Sequence, residues 1–259
     1  MTFKVVIPAR YASARLPAKP LLDIAGRPMI QWVISAAAQS GADEVLVATD
    51  DERIARVAID PRSRQSIAVM TSANHPSGTD RIAEVASQRG WEKRTIVVNV
   101  QGDEPLLPPA LVGQVAGLLE RHPDAAIATL STPIASLHEF LDPNVVKVVT
   151  AHDGTALYFS RAPIPWTRDG AVQGLASQVS FAGAQRHLGI YAYRVEALQK
   201  VTALPPAELE LTEKLEQLRA LQAGMKLVVA VATVSPPAGV DTESDLIRVR
   251  AVLGASPTL

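Results

Sequence analysis

The chain has 259 residues, of which 47% are hydrophobic and 20% charged, proportions typical of an ordinary globular protein. Its net charge of −1 argues against a nucleic-acid-binding surface, and the lack of cysteine excludes disulfide bonds and thiolate metal sites. The apolar run before Pro8 is too short for a signal peptide, and the longest apolar stretch, residues 227–234, covers less than half of a membrane span. We therefore expect a cytoplasmic protein that binds neither nucleic acid nor membrane.

The first half of the chain alternates between apolar strands and amphipathic helices. Strands are predicted over residues 4–7, 44–48, 67–70 and 95–100. The predicted helices between them start at Gly26-Arg27-Pro28 and end at Gly41, run from an Asp50-Asp51 cap toward Ile59, and cover residues 78–88. This alternation predicts parallel βαβ units and an α/β fold with a mostly parallel, Rossmann-like sheet flanked by helices.

The second half is less regular. Strands are predicted over residues 125–132, 145–150, 156–159, 188–193 and 227–234. Helices are predicted over residues 211–221 and 241–253, the second capped by Asp241 or Thr242. Residues 168–186, rich in Gly, Ala and Gln, are expected to be an irregular and mobile excursion.

Polar segments follow each of the first four strands. In parallel sheets, ligands bind at the carboxyl ends of the strands. We therefore expect these segments to converge on one cleft; they are Pro8-Ala9-Arg10, Thr49-Asp50-Asp51, Thr71-Ser72 and Gln101-Gly102-Asp103.

Three cations, Arg10, Arg15 and Lys19, lie in the ten residues that follow the first strand. A triphosphate requires several fixed positive charges, and this position at a strand end favours phosphate binding over a solvated basic loop. The segment matches neither a Walker A loop nor a dinucleotide-binding fingerprint.

Two carboxylates are candidate Mg²⁺ ligands. Asp103 follows a glycine at a strand end, where it could hold Mg²⁺ against phosphates or only cap a turn, and the adjacent Gln101 could bind a base or ribose. The residues around Asp241 favour a role as a helix N-cap, and Asp241 becomes a candidate metal ligand only if Asp103 is also a ligand.

Other candidates have weaker patterns. The segment Ser77-Gly78-Thr79-Asp80-Arg81 opens a helix whose free N–H groups could hold part of a nucleotide or belong to a capped surface helix. Periodicity alone favours structural roles for a scattered set comprising Arg161, His187, Tyr191, Glu216 and Gln217.

Taken together, these segments resemble the CMP-KDO synthetases (3-deoxy-manno-octulosonate cytidylyltransferases) along nearly the whole chain. The N-terminal signature, residues 7–21, is shared with other sugar nucleotidyltransferases. The more specific segments are His187-Leu188-Gly189-Ile190-Tyr191 and Leu215-Glu216-Gln217-Leu218-Arg219. Further matches are residues 47–50, 77–81, 98–105, 144–149, 156–161 and 239–242.

The resemblance implies a nucleotidyltransferase sheet with a smaller C-terminal sugar-binding and dimerisation subdomain. One domain would span residues 1–259, with a nucleotide-binding core over about 1–130, the subdomain over about 131–230, and a return to the core over 231–259. It also implies a cytoplasmic homodimer that transfers CMP from CTP to KDO, an eight-carbon acidic sugar, and so activates KDO for lipopolysaccharide synthesis.

The resemblance also assigns roles to residues. Arg10, Arg15 and Lys19 would hold the triphosphate and, with Asp103, act in catalysis, while Asp103 and Asp241 would ligate Mg²⁺. The cytidine nucleotide would contact Ala9, Ser77, Gly78, Arg81 and Gln101, and KDO would contact Arg161, His187, Tyr191, Glu216 and Gln217. The anomeric hydroxyl of KDO would attack the α-phosphorus of CTP and release pyrophosphate.

Two positions depart from the family pattern. Ala18 stands where many relatives have glycine, and Ala14 where they often have a hydroxyl residue; Ala18 is harmless only if its φ is negative. Three alternatives remain open: a synthetase for another sugar acid such as a sialic acid, a metal-dependent glycosyltransferase, and a non-catalytic nucleotide sensor.

Overall fold

The computed structural model describes residues 1–12, 16–171 and 173–255. Its strands are β1 (Lys4–Ala9), β2 (Asp23–Ile24), β3 (Arg27–Pro28), β4 (Glu44–Thr49), β5 (Ala68–Met70), β6 (Ile96–Asn99), β7 (Ile127–Pro133), β8 (Lys147–Thr150), β9 (Ala156–Ser160), β10 (Gln185–Arg194) and β11 (Leu227–Val231). Its helices are α1 (Met29–Ala38), α2 (Glu52–Val57), α3 (Gly78–Gln88), α4 (Pro109–Arg121), α5 (Leu137–Leu141), α6 (Val195–Ala203), α7 (Glu208–Glu213), α8 (Gln217–Gln222) and α9 (Glu243–Gly254).

The main sheet has the strand order β11-β7-β10-β6-β1-β4-β5. β1 pairs in parallel with β4 and β6, β4 with β5, and β11 with β7, whereas β10 is antiparallel to both β6 and β7. At one end β10 also pairs with β8, which in turn pairs with β9. The prediction of a mostly parallel α/β sheet flanked by helices is therefore confirmed.

Apolar layers cover both faces of the sheet, because side chains alternate along each strand. On β1, Val5 and Ile7 point to the layer that contains α1 and α4, while Val6 points to the layer that contains α3 and α6. Burial on both faces explains why β1 reads in sequence as a continuous apolar run.

The predicted subdomain of residues 131–230 shares this sheet with the first 130 residues. β10 lies between β6 and β7, and β11 extends the sheet beside β7. Of the described strands in this segment, β8 and β9 lie outside the main strand order.

The predicted helix over residues 211–221 is wrong, because two short helices take its place. α7 ends at Glu213, the next residue, Lys214, has a φ of 54° in the left-handed region, and α8 begins at Gln217. Leu215 and Leu218 are both buried, so their apolar spacing persists across the break and resembles one helix in the sequence.

One predicted helix start is corrected, and one of the two predicted caps of α9 is confirmed. α1 begins at Met29, and Pro28 precedes it in the extended conformation of β3. At α9 the cap is Thr242, whose side chain accepts a hydrogen bond from the Asp245 N–H, while Asp245 accepts one from the Thr242 N–H in return. Asp241 therefore lies outside the cap.

Two long helices, α4 and α6, are absent from the predicted elements. The predicted excursion of residues 168–186 contains two short 3₁₀ turns, Arg168–Gly170 and Leu175–Ser177, before β10 begins. Within the described ranges, no helix is long and apolar enough to cross a membrane.

Candidate active site

A cavity of about 350 Å³ opens at the carboxyl ends of β1 and β6. It brings together ten of the predicted site residues, namely Ala9, Arg10, Lys19, Ser77, Gly78, Arg81, Gln101, Asp103, Glu216 and Asp241. Arg161, His187, Tyr191 and Gln217 do not line it, and Arg15 and Ala14 lie outside the described residues. The predicted cleft is therefore present, but only two of the four segments expected to converge on it, those after β1 and β6, line it.

Lys19 lies between the two candidate metal ligands. Its Nζ donates to Asp103 Oδ2 at 2.8 Å and to Asp241 Oδ1 at 3.0 Å. Burial lowers the pKa of the Lys19 ammonium, but the two carboxylates outweigh this effect and raise the pKa above its usual value. The lysine is therefore a fixed positive charge in the cavity.

A backbone contact sets the spacing of the two carboxylates. The Val240 N–H donates to the Asp103 carbonyl at 2.9 Å and so joins the loop after β6 to the loop before α9. A Cβ at Gly239 would lie 3.1 Å from the same carbonyl, so a larger residue there would push the loops apart.

The arrangement fits a hard divalent cation. Two carboxylates already converge on one cationic group, and carboxylate oxygens are the ligands that Mg²⁺ prefers. No group of three or more His, Cys, Asp or Glu side chains in the described ranges could hold a metal by itself. A cation between Asp103 and Asp241 would therefore require further oxygens from substrate phosphates and water.

Close packing around Pro8 forms one wall of the cavity. A Cβ at Gly102 would lie 3.0 Å from the Pro8 carbonyl, and one at Gly78 would lie 3.2 Å from the Pro8 ring. Glycine at both positions lets the loop after β6 and the start of α3 approach the end of β1. The backbone itself is thereby exposed to a ligand.

The other two strand ends contribute through Arg81, a side chain only 4% exposed that also lines the cavity. Its Nη1 donates to Thr71 Oγ1 at 2.5 Å, and its Nη2 lies 3.4 Å from Asp50 Oδ2. The segments after β4 and β5 therefore hold this cation in place rather than line the cavity.

Sequence reasoning missed His75, which lines the cavity and forms a hydrogen bond through Nε2 with Glu84 on α3. Glu84 also accepts a hydrogen bond from the Ser72 N–H at 2.9 Å. The only signal in the sequence is its position two residues before the Ser77 cap, since a single histidine in a loop has no pattern.

Three aromatic residues, two of them predicted to bind the sugar, lie in a row beside the cavity. The His187 ring is 5.3 Å from the Tyr191 ring, which is 5.8 Å from the Tyr193 ring. Tyr193 lines a small adjoining cavity together with Glu216 and Gln217, and Glu216 also lines the larger one. Thr79 on α3 donates to Glu216 Oε2 at 2.9 Å. The Glu216 carboxylate therefore lies between the aromatic row and the larger cavity.

Burial sets the protonation of this row. It lowers the pKa of His187 to about 3, so the imidazole is neutral at physiological pH. Burial also raises the pKa of Tyr191 well above its usual value, and the neighbouring Tyr193 and Glu216 add to that shift. The row therefore offers neutral hydrogen-bonding groups and one carboxylate.

Arg161 lies outside both cavities, with its guanidinium directed to backbone carbonyls. Its Nε donates to the Glu213 carbonyl at 2.7 Å and its Nη1 to the Pro143 carbonyl at 2.9 Å. The contact from Nη2 to the Lys214 carbonyl is long, at 3.5 Å. This nitrogen is the one held least tightly.

A Rossmann-like sheet that holds cations and paired carboxylates at its carboxyl edge is the arrangement of a nucleotidyltransferase. The family model described as cytidylyltransferase matches residues 4–227. Similar proteins include the 3-deoxy-manno-octulosonate cytidylyltransferase of Thioalkalivibrio sulfidiphilus (strain HL-EbGR7), 56% identical over 98% of this chain and 100% of the relative. That of Nitrosococcus oceani is 52% identical over 98% of this chain and 97% of the relative.

Within that class, the chain belongs to the family of 3-deoxy-manno-octulosonate cytidylyltransferases. A solved structure of CMP:2-keto-3-deoxy-manno-octonic acid synthetase complexed with CTP has a similar fold, with a TM-score of 0.85 and 42% identity. The match covers 97% of this chain and 98% of the other. The family that the sequence motifs indicate is confirmed.

Proposed function

We propose that this chain transfers CMP from CTP to KDO, giving CMP-KDO and pyrophosphate. The observation that carries the proposal is the pairing of Asp103 and Asp241 beside Lys19 at the strand ends of a chain whose relatives are 3-deoxy-manno-octulosonate cytidylyltransferases. The solved relative bound to CTP supports the nucleotide, and the names of the relatives support the sugar. The cytoplasmic location expected from the sequence stays a prediction.

The reaction is a single displacement at the α-phosphorus. The anomeric oxygen of KDO forms a bond to that phosphorus, the bond to the oxygen that bridges to the β-phosphorus breaks, and the hydroxyl proton is released. Negative charge grows on the departing pyrophosphate, so fixed cations near it lower the barrier. Lys19 and Arg10, which both line the cavity, would supply that charge.

Asp103 and Asp241 are proposed to hold Mg²⁺ against the phosphates. When bound, the ion would supply charge neutralisation at the phosphoryl oxygens. Lys19 would then exchange a carboxylate for a phosphate oxygen, since the ammonium and the metal share the same ligands. Ala9, Gly78, Gln101 and the positioned Arg81 would contact the rest of the nucleotide, together with the Ser77 cap.

The sugar is proposed to bind along the row that leads to Glu216. Neutral His187 and Tyr191 suit sugar hydroxyl groups, and Glu216 and Gln217 would orient the reacting end next to the nucleotide. Arg161 would reach the sugar carboxylate through Nη2, whose present contact is long.

The test is pyrophosphate release from CTP and Mg²⁺ with KDO, with N-acetylneuraminate, and with no sugar. We expect release only with KDO. Release with neuraminate instead would keep the reaction class and overturn the sugar assignment. A folded protein that binds CTP but releases no pyrophosphate with any sugar would favour a nucleotide sensor.

The metal assignment predicts a specific loss in the variant Asp103→Asn. The fold should be retained, while turnover falls by roughly 100-fold or more, because the amide no longer offers a charged ligand. A matched control is Asp124→Asn, since Asp124 is an exposed carboxylate paired only with Lys226 among the contacts of the described chain. Near wild-type turnover of Asp103→Asn at saturating Mg²⁺ would remove Asp103 from the metal site.

A further inference from the structure

An irregularity in the pairing of β10 with β7 lies directly beside His187. Leu188 pairs with Leu130 and Tyr191 with Thr129, so Gly189 and Ile190 are two extra residues on β10. Thr129, which is 0% exposed, lies opposite these extra residues. Its hydroxyl is therefore enclosed by the bulged strand.

The Thr129 hydroxyl has three polar neighbours. Its Oγ1 lies 2.8 Å from the Ile190 carbonyl oxygen, 3.1 Å from the Leu188 carbonyl oxygen and 3.0 Å from His187 Nε2. The two carbonyls can only accept a hydrogen bond, and a hydroxyl has a single proton to donate. If that proton pointed at the imidazole, two oxygens at 2.8 and 3.1 Å would face Oγ1 with no proton between them.

The hydroxyl proton therefore goes to the carbonyls, and the remaining partner has to donate to Oγ1. His187 is that partner, so its Nε2 carries a proton. The ring is neutral, because burial lowers the pKa of His187 to about 3. A neutral imidazole has only one N–H, so Nδ1 carries a lone pair and can accept a hydrogen bond.

We infer that Thr129 is a positioning residue of the sugar site, because its hydroxyl fixes the Nε2–H tautomer of His187 and leaves Nδ1 as the acceptor for a hydroxyl of the sugar. This inference rests on the proposed contact between His187 and KDO. Nδ1 forms no hydrogen bond within the described ranges, and the ring is held edge-on by Phe159 at 5.0 Å. Thr129 itself touches no substrate, so it acts only through His187.

Three variants separate this role from a packing role. Thr129→Val keeps the shape of the side chain and removes the hydroxyl, whereas Thr129→Ser keeps the hydroxyl and removes the methyl group. The matched control is Thr132→Val on the same strand, since Thr132 is also buried and its Oγ1 has no hydrogen-bond partner in the described chain. Thermal melts establish that each variant is folded.

The first measurement is the tautomer of His187 by long-range ¹H–¹⁵N NMR of protein labelled at its five histidines. The His187 signals are assigned by their loss in His187→Gln. We expect the Nε2–H pattern in the wild type, in Thr129→Ser and in Thr132→Val, and a mixture of tautomers in Thr129→Val. An Nδ1–H pattern in the wild type overturns the inference, whatever the enzyme does with KDO.

The second measurement is the KM for each substrate in pyrophosphate release. Thr129→Val should raise the KM for KDO by roughly 3- to 10-fold, the effect of one weakened hydrogen bond, with the KM for CTP unchanged. Thr129→Ser should restore the KM for KDO to within about 2-fold of the wild type, and Thr132→Val should leave both KM values unchanged.

The kinetic outcomes identify which claim fails. If His187→Gln raises the KM for KDO and Thr129→Val does not, the positioning role of Thr129 is overturned. If neither variant changes it, the proposed contact of His187 with the sugar is wrong and the inference falls with it. If the wild type does not use KDO at all, the proposed function fails, and the NMR result still decides whether Thr129 sets the tautomer.

Discussion

Lys19 holds together two carboxylates that would otherwise repel each other. Its Nζ is 2.8 Å from an oxygen of Asp103 and 3.0 Å from an oxygen of Asp241. Any divalent cation that binds these oxygens has to displace the ammonium from them. We therefore propose that lysine and a metal ion would compete for these oxygens in the absence of nucleotide, and that phosphate oxygens would take up the displaced lysine in its presence.

This competition predicts opposite effects of Lys19→Met on two ligands. Removal of the ammonium should raise the affinity for Mn²⁺ alone by a few-fold, measured by electron paramagnetic resonance without nucleotide. It should also raise the KM for CTP and lower the rate, because leaving-group charge grows in the transition state. Lys200→Met on the exposed end of α6 is the control. Unchanged Mn²⁺ affinity, or an effect confined to KDO, would contradict the role.

Ala18 is strained in this structure. Its φ is 55° and its ψ 29°, the left-handed region, which costs an alanine roughly 1–2 kcal/mol and a glycine almost nothing. The departure from the family pattern thus has a physical consequence in the loop that carries Lys19.

We therefore expect Ala18→Gly to raise the free energy of unfolding by up to about 1 kcal/mol, after the entropy of the unfolded glycine chain is subtracted. Urea unfolding measures it. The control is Ala251→Gly on the exposed side of α9, where the backbone is helical and unstrained and glycine should destabilise by roughly 1 kcal/mol. A loss of stability in both variants would show that the strain relieved at Ala18 is smaller than the entropy that glycine adds to the unfolded chain.

At the scale of elements, an ion pair joins α7 to α8 across the break between them. Arg219 Nη2 and Nε lie 2.6 and 2.8 Å from the two carboxylate oxygens of Glu210, a side chain on α7 that is largely buried. The pair joins two helices too short to be stable alone and so determines where Glu216, between them, meets the cavity.

Breaking this pair should be costly. Arg219→Met leaves the buried Glu210 carboxylate without its partner, and we expect a loss of about 3–5 kcal/mol in the free energy of unfolding. The double variant Glu210→Leu/Arg219→Met should recover much of this loss, because no charge is then left unpaired. The control is Arg56→Met, which removes an exposed pair with Glu52 and should cost less than about 1 kcal/mol. If Arg219→Met and Arg56→Met lowered the free energy of unfolding equally, the role of the buried pair would be contradicted.

At the scale of the whole molecule, apolar side chains are exposed on the predicted dimerisation segment. Among the described residues these include Leu157 at 58% and Leu211 at 53% exposure. We propose that they contribute to the interface of the homodimer that the family resemblance implies.

We expect light scattering after gel filtration to give twice the chain mass of 27.5 kDa. Leu157→Glu/Leu211→Glu should shift the population toward the monomer, because a charge cannot be buried in an apolar interface without cost. Ile247→Glu on α9, equally exposed but outside the segment, is the control and should stay dimeric. A wild type that elutes at the monomer mass at micromolar concentration would contradict the dimer.

The local patterns of the sequence predicted much of the fold. The apolar run of β1, the capped helix α3 and the strand β4 are determined by side chains that are neighbours in sequence, so periodicity detects them. The position of β10 between β6 and β7 is not local, since its partners lie 52 to 98 residues away. The break at Lys214 leaves the apolar spacing of Leu215 and Leu218 intact, so periodicity does not detect it.

The candidate site likewise combines residues that the local sequence predicts with contacts that depend on the tertiary structure. The sequence by itself determined that cations follow β1 and that Asp103 follows β6, and the rule for parallel sheets placed both at one edge. Only the tertiary structure decided that Lys19 meets Asp241, 222 residues away, and that Thr129 meets His187, 58 residues away. Such contacts depend on sheet register and on the Val240–Asp103 hydrogen bond, and neither leaves a periodic pattern in the chain.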